Sequence, residues 1–115
     1  MQNAERQEPF LPVAGIDSLD ELFLRSNDGP VILFKHSLTC PISSSAYFEM
    51  QKMKSDVALV VMQNARETSN EIERRTGIRH ESPQVIILRN GKPVWNASHW
   101  SINADAVESA SRDNA

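Results

Sequence analysis

Cysteine is almost missing from this chain: Cys40 is the only one among 115 residues. An internal disulfide is therefore excluded, and so is a four-ligand zinc site built on cysteines. A lone thiol suits a reducing cytosol, so a cytoplasmic location is the expectation. No apolar run approaches the roughly 18–20 residues of a membrane-spanning helix. The opening stretch, Met1 to Glu8, is polar, and no apolar segment of the secretory kind follows it. An excess of positive charge is missing too. The net charge is −3 and the isoelectric point about 5.6, which argues against a nucleic-acid partner. What remains is ordinary for a globular protein, with 40% hydrophobic and 23% charged residues. A chain of this length forms one domain and hides roughly two-thirds of the surface its unfolded form exposes.

Helix and strand signals alternate along it. Residues 1–15 read as a loose arm, with Phe10 and Leu11, between Pro9 and Pro12, tacking it to the body. Ser18 and Glu21 have capping-box spacing, and Leu19, Leu22 and Phe23 recur with helical spacing up to Asn27-Asp28-Gly29. Val31 to Phe34 is a continuous apolar run, as in a strand buried on both faces. Pro41 opens a helix predicted to reach Met53, and Val57 to Met62 is a second strand. Thr68 and Glu71 repeat the capping-box spacing before a helix that ends at Gly77. Pro83 precedes a third strand, Val85 to Leu88. Asn90-Gly91 is a hairpin signal leading to a fourth strand, Lys92 to Ala97. A last amphipathic helix starts near Asn103, and the chain from Ser109 reads as a polar, frayed tail. Strands joined through helices are parallel, and the hairpin adds an antiparallel partner. The expected fold is α/β, a four-stranded mixed sheet with helices on both faces. This is a thioredoxin-like architecture over residues 16–108, with an arm at 1–15 and a tail at 109–115.

Within that frame Cys40 follows a buried strand and precedes Pro41. Proline suits the first helical position, because its missing N–H would go unpaired there anyway. Cys40 is thus expected at or beside the helix N-cap, where free N–H groups and the helix dipole favour thiolate. The competing reading is a small buried core residue. The residue three after Cys40 is Ser43, which cannot form the disulfide of a dithiol oxidoreductase. Its hydroxyl either bonds the Cys40 thiolate across one turn or bonds locally as an ordinary first-turn serine. Ser82-Pro83 falls at the start of the third strand, where a thioredoxin fold holds a cis-proline beside its nucleophile. Of the histidines, His36 and His99 read as surface or structural groups. His80 has the better functional claim, because the loop before Pro83 is expected to face Cys40. Their spacing matches no metal motif. Tyr47, Trp95 and Trp100 read as packing residues, and Arg74-Arg75 as a solvated helix face.

Three stretches together carry a resemblance. Phe34-Lys35-His36-Ser37 leads into Thr39-Cys40-Pro41-Ile42-Ser43. Glu81-Ser82-Pro83-Gln84 and Trp95-Asn96-Ala97-Ser98-His99-Trp100 follow later in the chain. Over about residues 17–107 the chain resembles the YtxJ-like family, the monothiol bacilliredoxins of thioredoxin fold. The resemblance implies a monothiol thiol–disulfide oxidoreductase with Cys40 as nucleophile. Thr39, Pro41, Ser43, His80, Ser82 and Pro83 would surround the reacting sulfurs. It implies bacillithiol, a cysteinyl sugar thiol, as co-substrate, S-thiolated proteins as clients, and no bound cofactor or metal. One cysteine is enough for that cycle. Two other functions compete. In one, the domain is a non-enzymatic stress adaptor and Cys40 only a modification target. In the other it is an iron–sulfur carrier; such monothiol proteins typically hold glycine and phenylalanine where this chain has Pro41 and Ile42, and proline there obstructs a bridging cluster.

Overall fold

The computed structural model describes residues 9–39 and 41–115, with the side chain of Asn64 set aside. Cys40 and Met1 to Glu8 lie outside the described residues. The elements run β1 (Phe10–Pro12), α1 (Ile16–Arg25), β2 (Val31–His36), α2 (Pro41–Met50), β3 (Val57–Val61), a 3-10 turn (Met62–Asn64), α3 (Arg66–Thr76), β4 (Gln84–Arg89), β5 (Lys92–Ser98), a second 3-10 turn (His99–Ser101) and α4 (Ala104–Asp113).

One sheet of five strands, in the order β1-β3-β2-β4-β5, forms the middle layer. β1, β3 and β2 are parallel; β4 and β5 run antiparallel. All six residues of β2 are buried, which only a central strand covered on both faces can achieve. Alternation sends Ile32 and Phe34 to one side, where Ala46 and Met50 of α2 and Val107 and Ala110 of α4 cover them. Val31 and Leu33 point to the other side, against Leu19 and Leu22 of α1 and Ile72 of α3. The β4–β5 turn places Asn90 and Gly91 at φ 56° and 75°, the left-handed pair that a two-residue hairpin requires. Gly77 ends α3 at φ 73°, the left-handed C-terminal position where a side chain is disfavoured.

The expected four-strand sheet gains a fifth strand from the region expected to be a loose arm. Phe10–Pro12 pairs with Val57–Leu59, Pro9 O accepts from Val57 N, and Val13 joins the core. Three residues ending in proline carry too little alternation to announce a strand; the neighbouring β3 edge makes them one. The tail is also corrected: α4 continues through Asp113, because Ala110 and Ser111 are buried against the sheet. Neither capping box forms. α1 starts at Ile16 behind Gly15, and α3 at Arg66 behind Ala65, two residues before the expected caps in each case. Glu71 instead holds Arg74 and Arg75, and Arg75 also reaches Asp20 of α1 and lies over the Phe23 ring. The Arg74-Arg75 pair is thus only half solvated, since Arg75 is a bridge between two helices. Among the described N-cap residues, Asn103 does use its side chain: its Oδ1 accepts from Ala106 N at 2.9 Å.

Asn103→Ala is therefore expected to lower stability by about 1 kcal/mol. Ser18→Ala is expected to change it by less than about 0.5 kcal/mol. Paired urea melts check both, and a larger loss at Ser18 would contradict the observed start of α1.

Candidate functional site

The site is built at the end of the sheet where β2 gives way to α2. β2 stops at His36, and residues 37–39 turn into the helix that Pro41 opens, one residue after Cys40 in sequence. The turn is held from two directions. Ser37 N donates to Ser43 Oγ at 3.2 Å, tying the strand end to the first turn of α2. Gln63, from the turn after β3, accepts from Leu38 N at 3.1 Å and donates to Ser37 Oγ at 3.2 Å. Thr39 is exposed, with its hydroxyl beside Ser37 Oγ and Gln63 Nε2. Ser43 is fully buried, so its oxygen is engaged by the backbone as a local structural acceptor.

Pro83 is buried, and the Ser82–Pro83 peptide bond is cis. Its carbonyl accepts from His99 N at 3.0 Å. His99 begins the turn that packs against α2, so the proline corner, the end of β5 and α2 meet at one place. His99 Nδ1 lies 3.3 Å from Glu81 Oε1. Trp100, expected to pack, is instead 72% exposed. With Ser45, Phe48 and Asn103 it lines an open groove of about 400 Å³ beside α2. Pro41, Ser45 and Phe48 are all exposed and recur every three to four residues, a stripe leading from the start of α2 into the groove. Trp95 and Tyr47 do pack against the core, as expected.

His80 belongs to a different neighbourhood. Its Nδ1 lies 3.2 Å from Ser69 Oγ on α3. Nearby Lys35, on β2, is completely buried and its Nζ has no hydrogen-bond partner among the described residues. Gln84 faces Lys35 across the strands, with Nε2 bonded to Arg79 O and Oε1 unbonded. Burial pushes Lys35 down to about 8, against the opposing pull of Glu73 and Glu81. His80 is lowered by burial and then by the Lys35 charge. This polar cluster lies on the α1/α3 side of the sheet, because Lys35 has the parity of Val31 and Leu33. His36 has the opposite parity. Of the two expected readings, surface or structural, it takes the structural one: it is 7% exposed, with its ring centroid 5.7 Å from Phe34 and 4.9 Å from Tyr47.

Of the residues singled out in the sequence, Thr39, Pro41 and Ser43 share the β2–α2 junction. Ser82 and Pro83 form the adjoining corner, and His80 turns to α3. Lys35, His36 and Gln63 were missed. A buried lysine reads as exposed in any sequence pattern, and Gln63 reaches the site only through the β2–β3 pairing.

A sequence profile of the monothiol bacilliredoxins (BrxC) matches residues 12–107. The chain belongs to that family. A solved protein described as having a thioredoxin fold, and named only provisionally as an oxidoreductase, is 32% identical. That match covers 88% of this bacilliredoxin-family chain and 92% of its counterpart, with a TM-score of 0.80. Thioredoxin from Trypanosoma brucei brucei superposes with a TM-score of 0.73 at 17% identity, covering 98% and 96% of the two chains. Fasciola hepatica thioredoxin does so at 0.70 and 12% identity, covering 90% and 98%. These two show the fold, which is thioredoxin-like. Family and fold together make this bacilliredoxin relative a redox protein.

Two outcomes follow from the buried polar groups. Lys35→Met is expected to stabilise the protein at pH 7 by about 1–3 kcal/mol, because it removes the cost of a buried, unpaired ammonium. The folded-state pKa of about 8 lies below the ordinary 10.5. Between those values the unfolded chain holds the proton longer, so wild-type stability rises with pH and the advantage of Lys35→Met shrinks. Urea melts at pH 7 and pH 10 measure this; an equal difference at both would refute the assignment. Ser43→Ala leaves the Ser37 N–H without its partner and is expected to cost about 1–2 kcal/mol, read as a lower melting midpoint.

Proposed function

We propose that this protein is a monothiol disulfide reductase. It removes bacillithiol, or a low-molecular-weight thiol like it, from mixed disulfides on client proteins, with Cys40 as nucleophile. The observation that carries this reading is the bacilliredoxin match across residues 12–107 in a chain with a single thiol. It is supported by a helix that opens at Pro41, directly after Cys40 in sequence, and by the cis-Pro83 corner that meets α2.

The cycle follows from thiol–disulfide exchange. The Cys40 thiolate attacks the bacillithiol sulfur of a capped client. The mixed disulfide breaks, the client leaves as thiolate and takes up a proton, and the cap is now on Cys40. A free bacillithiol thiolate then attacks the capping sulfur. Cys40 leaves as thiolate, and bacillithiol disulfide is released. In sum, a capped client and one free bacillithiol thiol give a client thiol and bacillithiol disulfide, one disulfide being exchanged for another, so no resident cofactor enters. A helix N-terminus favours the charged sulfur, which makes Cys40 a better leaving group in the second step. The groove under Trp100 gives room for the bulk attached to the sulfur under attack. Ser43, engaged by Ser37 N, supplies no resolving thiol, and the second bacillithiol takes that part. Chemistry that runs on a free thiol belongs in a reducing compartment, the cytoplasm.

The test is reduction of a bacillithiol-capped protein by the purified chain with excess bacillithiol. Wild-type protein is expected to turn over many times and Cys40→Ser not at all, with unchanged circular dichroism. Undiminished turnover by Cys40→Ser would reject the proposal. So would a wild-type protein that accepts one cap on Cys40 and then stops, the behaviour of an adaptor rather than an enzyme.

A further inference from the structure

Phe10, Phe34, His36 and Tyr47 stack or tilt against one another inside the protein. Phe48 and Trp100 stand apart from them. They are 67% and 72% exposed, and neither ring has an aromatic or cationic partner among the described residues. Both line the groove of about 400 Å³ beside α2. Large apolar rings left in water over one concave surface mark a place that a ligand covers. The reduction cycle needs only room there and makes no use of the rings.

The turn that presents Trp100 is firmly held. His99 sits at φ 53°, a left-handed conformation uncommon for a residue with a side chain. It is braced on both sides, by His99 N on Pro83 O at 3.0 Å and by Ile102 N on His99 O at 3.3 Å. Buried Ala46 and Ile102 complete the apolar part of the lining. The rest is polar. Ser45 is exposed, and its hydroxyl has no partner among the described residues. Asn103 spends its Oδ1 on Ala106 N and keeps its amide NH2 free. His99 turns Nδ1 to Glu81, which leaves Nε2 unused. The Glu49 carboxylate accepts from Ala104 N at 3.0 Å and from Lys52 Nζ at 2.8 Å.

We propose that this groove is a sugar-binding subsite, in which a pyranose lays its C–H face on Trp100 beside Phe48 and bonds Ser45, Asn103 and His99 through its hydroxyls. Such a ligand uses both halves of the lining. An apolar side chain covers the rings but cuts the Ser45 hydroxyl and the Asn103 amide off from water with nothing in exchange. A phosphate or carboxylate meets Glu49 and finds no unpaired ammonium or guanidinium among the lining residues. A pyranose is neutral, has one apolar face, and carries a rim of groups that both donate and accept. The pre-formed turn at His99 holds the indole in place before the ligand arrives, which lowers the cost of binding. The subsite consists of residues 45–49 and 99–103 and asks nothing of the position of residue 40. It deepens the reductase reading and rests on it for the source of the sugar, which is the sugar part of the low-molecular-weight thiol.

Binding is tested in Cys40→Ser protein, where no exchange can occur, by nitrogen-15 NMR of the side-chain N–H groups. The probes are a methyl N-acetylglucosaminide, which has the sugar and no thiol, bacillithiol, which has both, and cysteine, which has the thiol alone. The two sugar probes are expected to shift the Trp100 indole and the Asn103 amide in a saturable way and to leave the Trp95 indole in place; cysteine is expected to move neither. Trp100→Ala is expected to weaken both sugar probes at least tenfold, and Val94→Ala, at an exposed apolar position outside the groove, to leave them unchanged. No Trp100 shift with either sugar probe, or an equal shift with cysteine, overturns the proposal. Binding of the glycoside without bacillithiol overturns the thiol as the source of the sugar. Turnover is read separately: a Trp100→Ala protein that reduces capped client with the wild-type KM for bacillithiol keeps the reductase reading and overturns the subsite.

Discussion

Everything in this molecule hangs on the double-sided burial of β2. A six-residue strand with no exposed position has to be covered by helices above and below and paired on both edges. That requirement places α2 and α4 on one face and α1 and α3 on the other, with β3 and β4 as its neighbours. It also fixes the functional end. The same strand that fills the core stops at His36, and five residues later, at Pro41, the chain enters α2. The junction is therefore mounted on the most tightly packed element of the protein. Ser43 and Gln63 hold it by hydrogen bonds from either side.

Burial of β2 extends past its apolar part to include Lys35 and His36. Both carry a nitrogen with no hydrogen-bond partner among the described residues, and successive positions in a strand face opposite ways. The lysine enters a polar cluster with Gln84 and His80, where its charge is costly. The histidine enters the wall beneath the first turns of α2. Polar groups enclosed without partners mark places where stability is given up, and such places are commonly functional. Here two adjacent residues of this kind close β2, beside its junction with α2.

The fold was legible where the pattern was long and repetitive. Val31–Phe34, Val85–Leu88, Asn90-Gly91 and the Pro41 helix start all appear where composition places them. Pro83 was marked as the strand's opening proline, and the structure adds that its peptide bond is cis. Less legible were features that depend on a partner distant in sequence. β1 is a strand only because β3 offers it an edge, and α4 runs to Asp113 only because the sheet covers Ala110 and Ser111. The Ser18 and Thr68 capping boxes had the right spacing but lost to earlier helix starts, fixed by packing of the apolar faces. Trp100 reads as core by its composition and turns outward because His99, at φ 53°, redirects the chain after β5. The candidate site was half visible: the junction and the proline corner, but not the buried bases beneath it.

The two rims of the sheet carry a last consequence. An open sheet exposes unpaired amide groups along its outer strands, and these recruit strands from other molecules. Here one rim is β1, three residues long and closed by Pro12. The other is β5, which begins Lys92-Pro93 and is interrupted in register opposite Ile87 and Leu88. Proline at each rim removes a donor, the charge and the irregularity at β5 disfavour a flat match, and neither side offers a long template. The fold thus carries its own protection against being drawn into strand-to-strand aggregates.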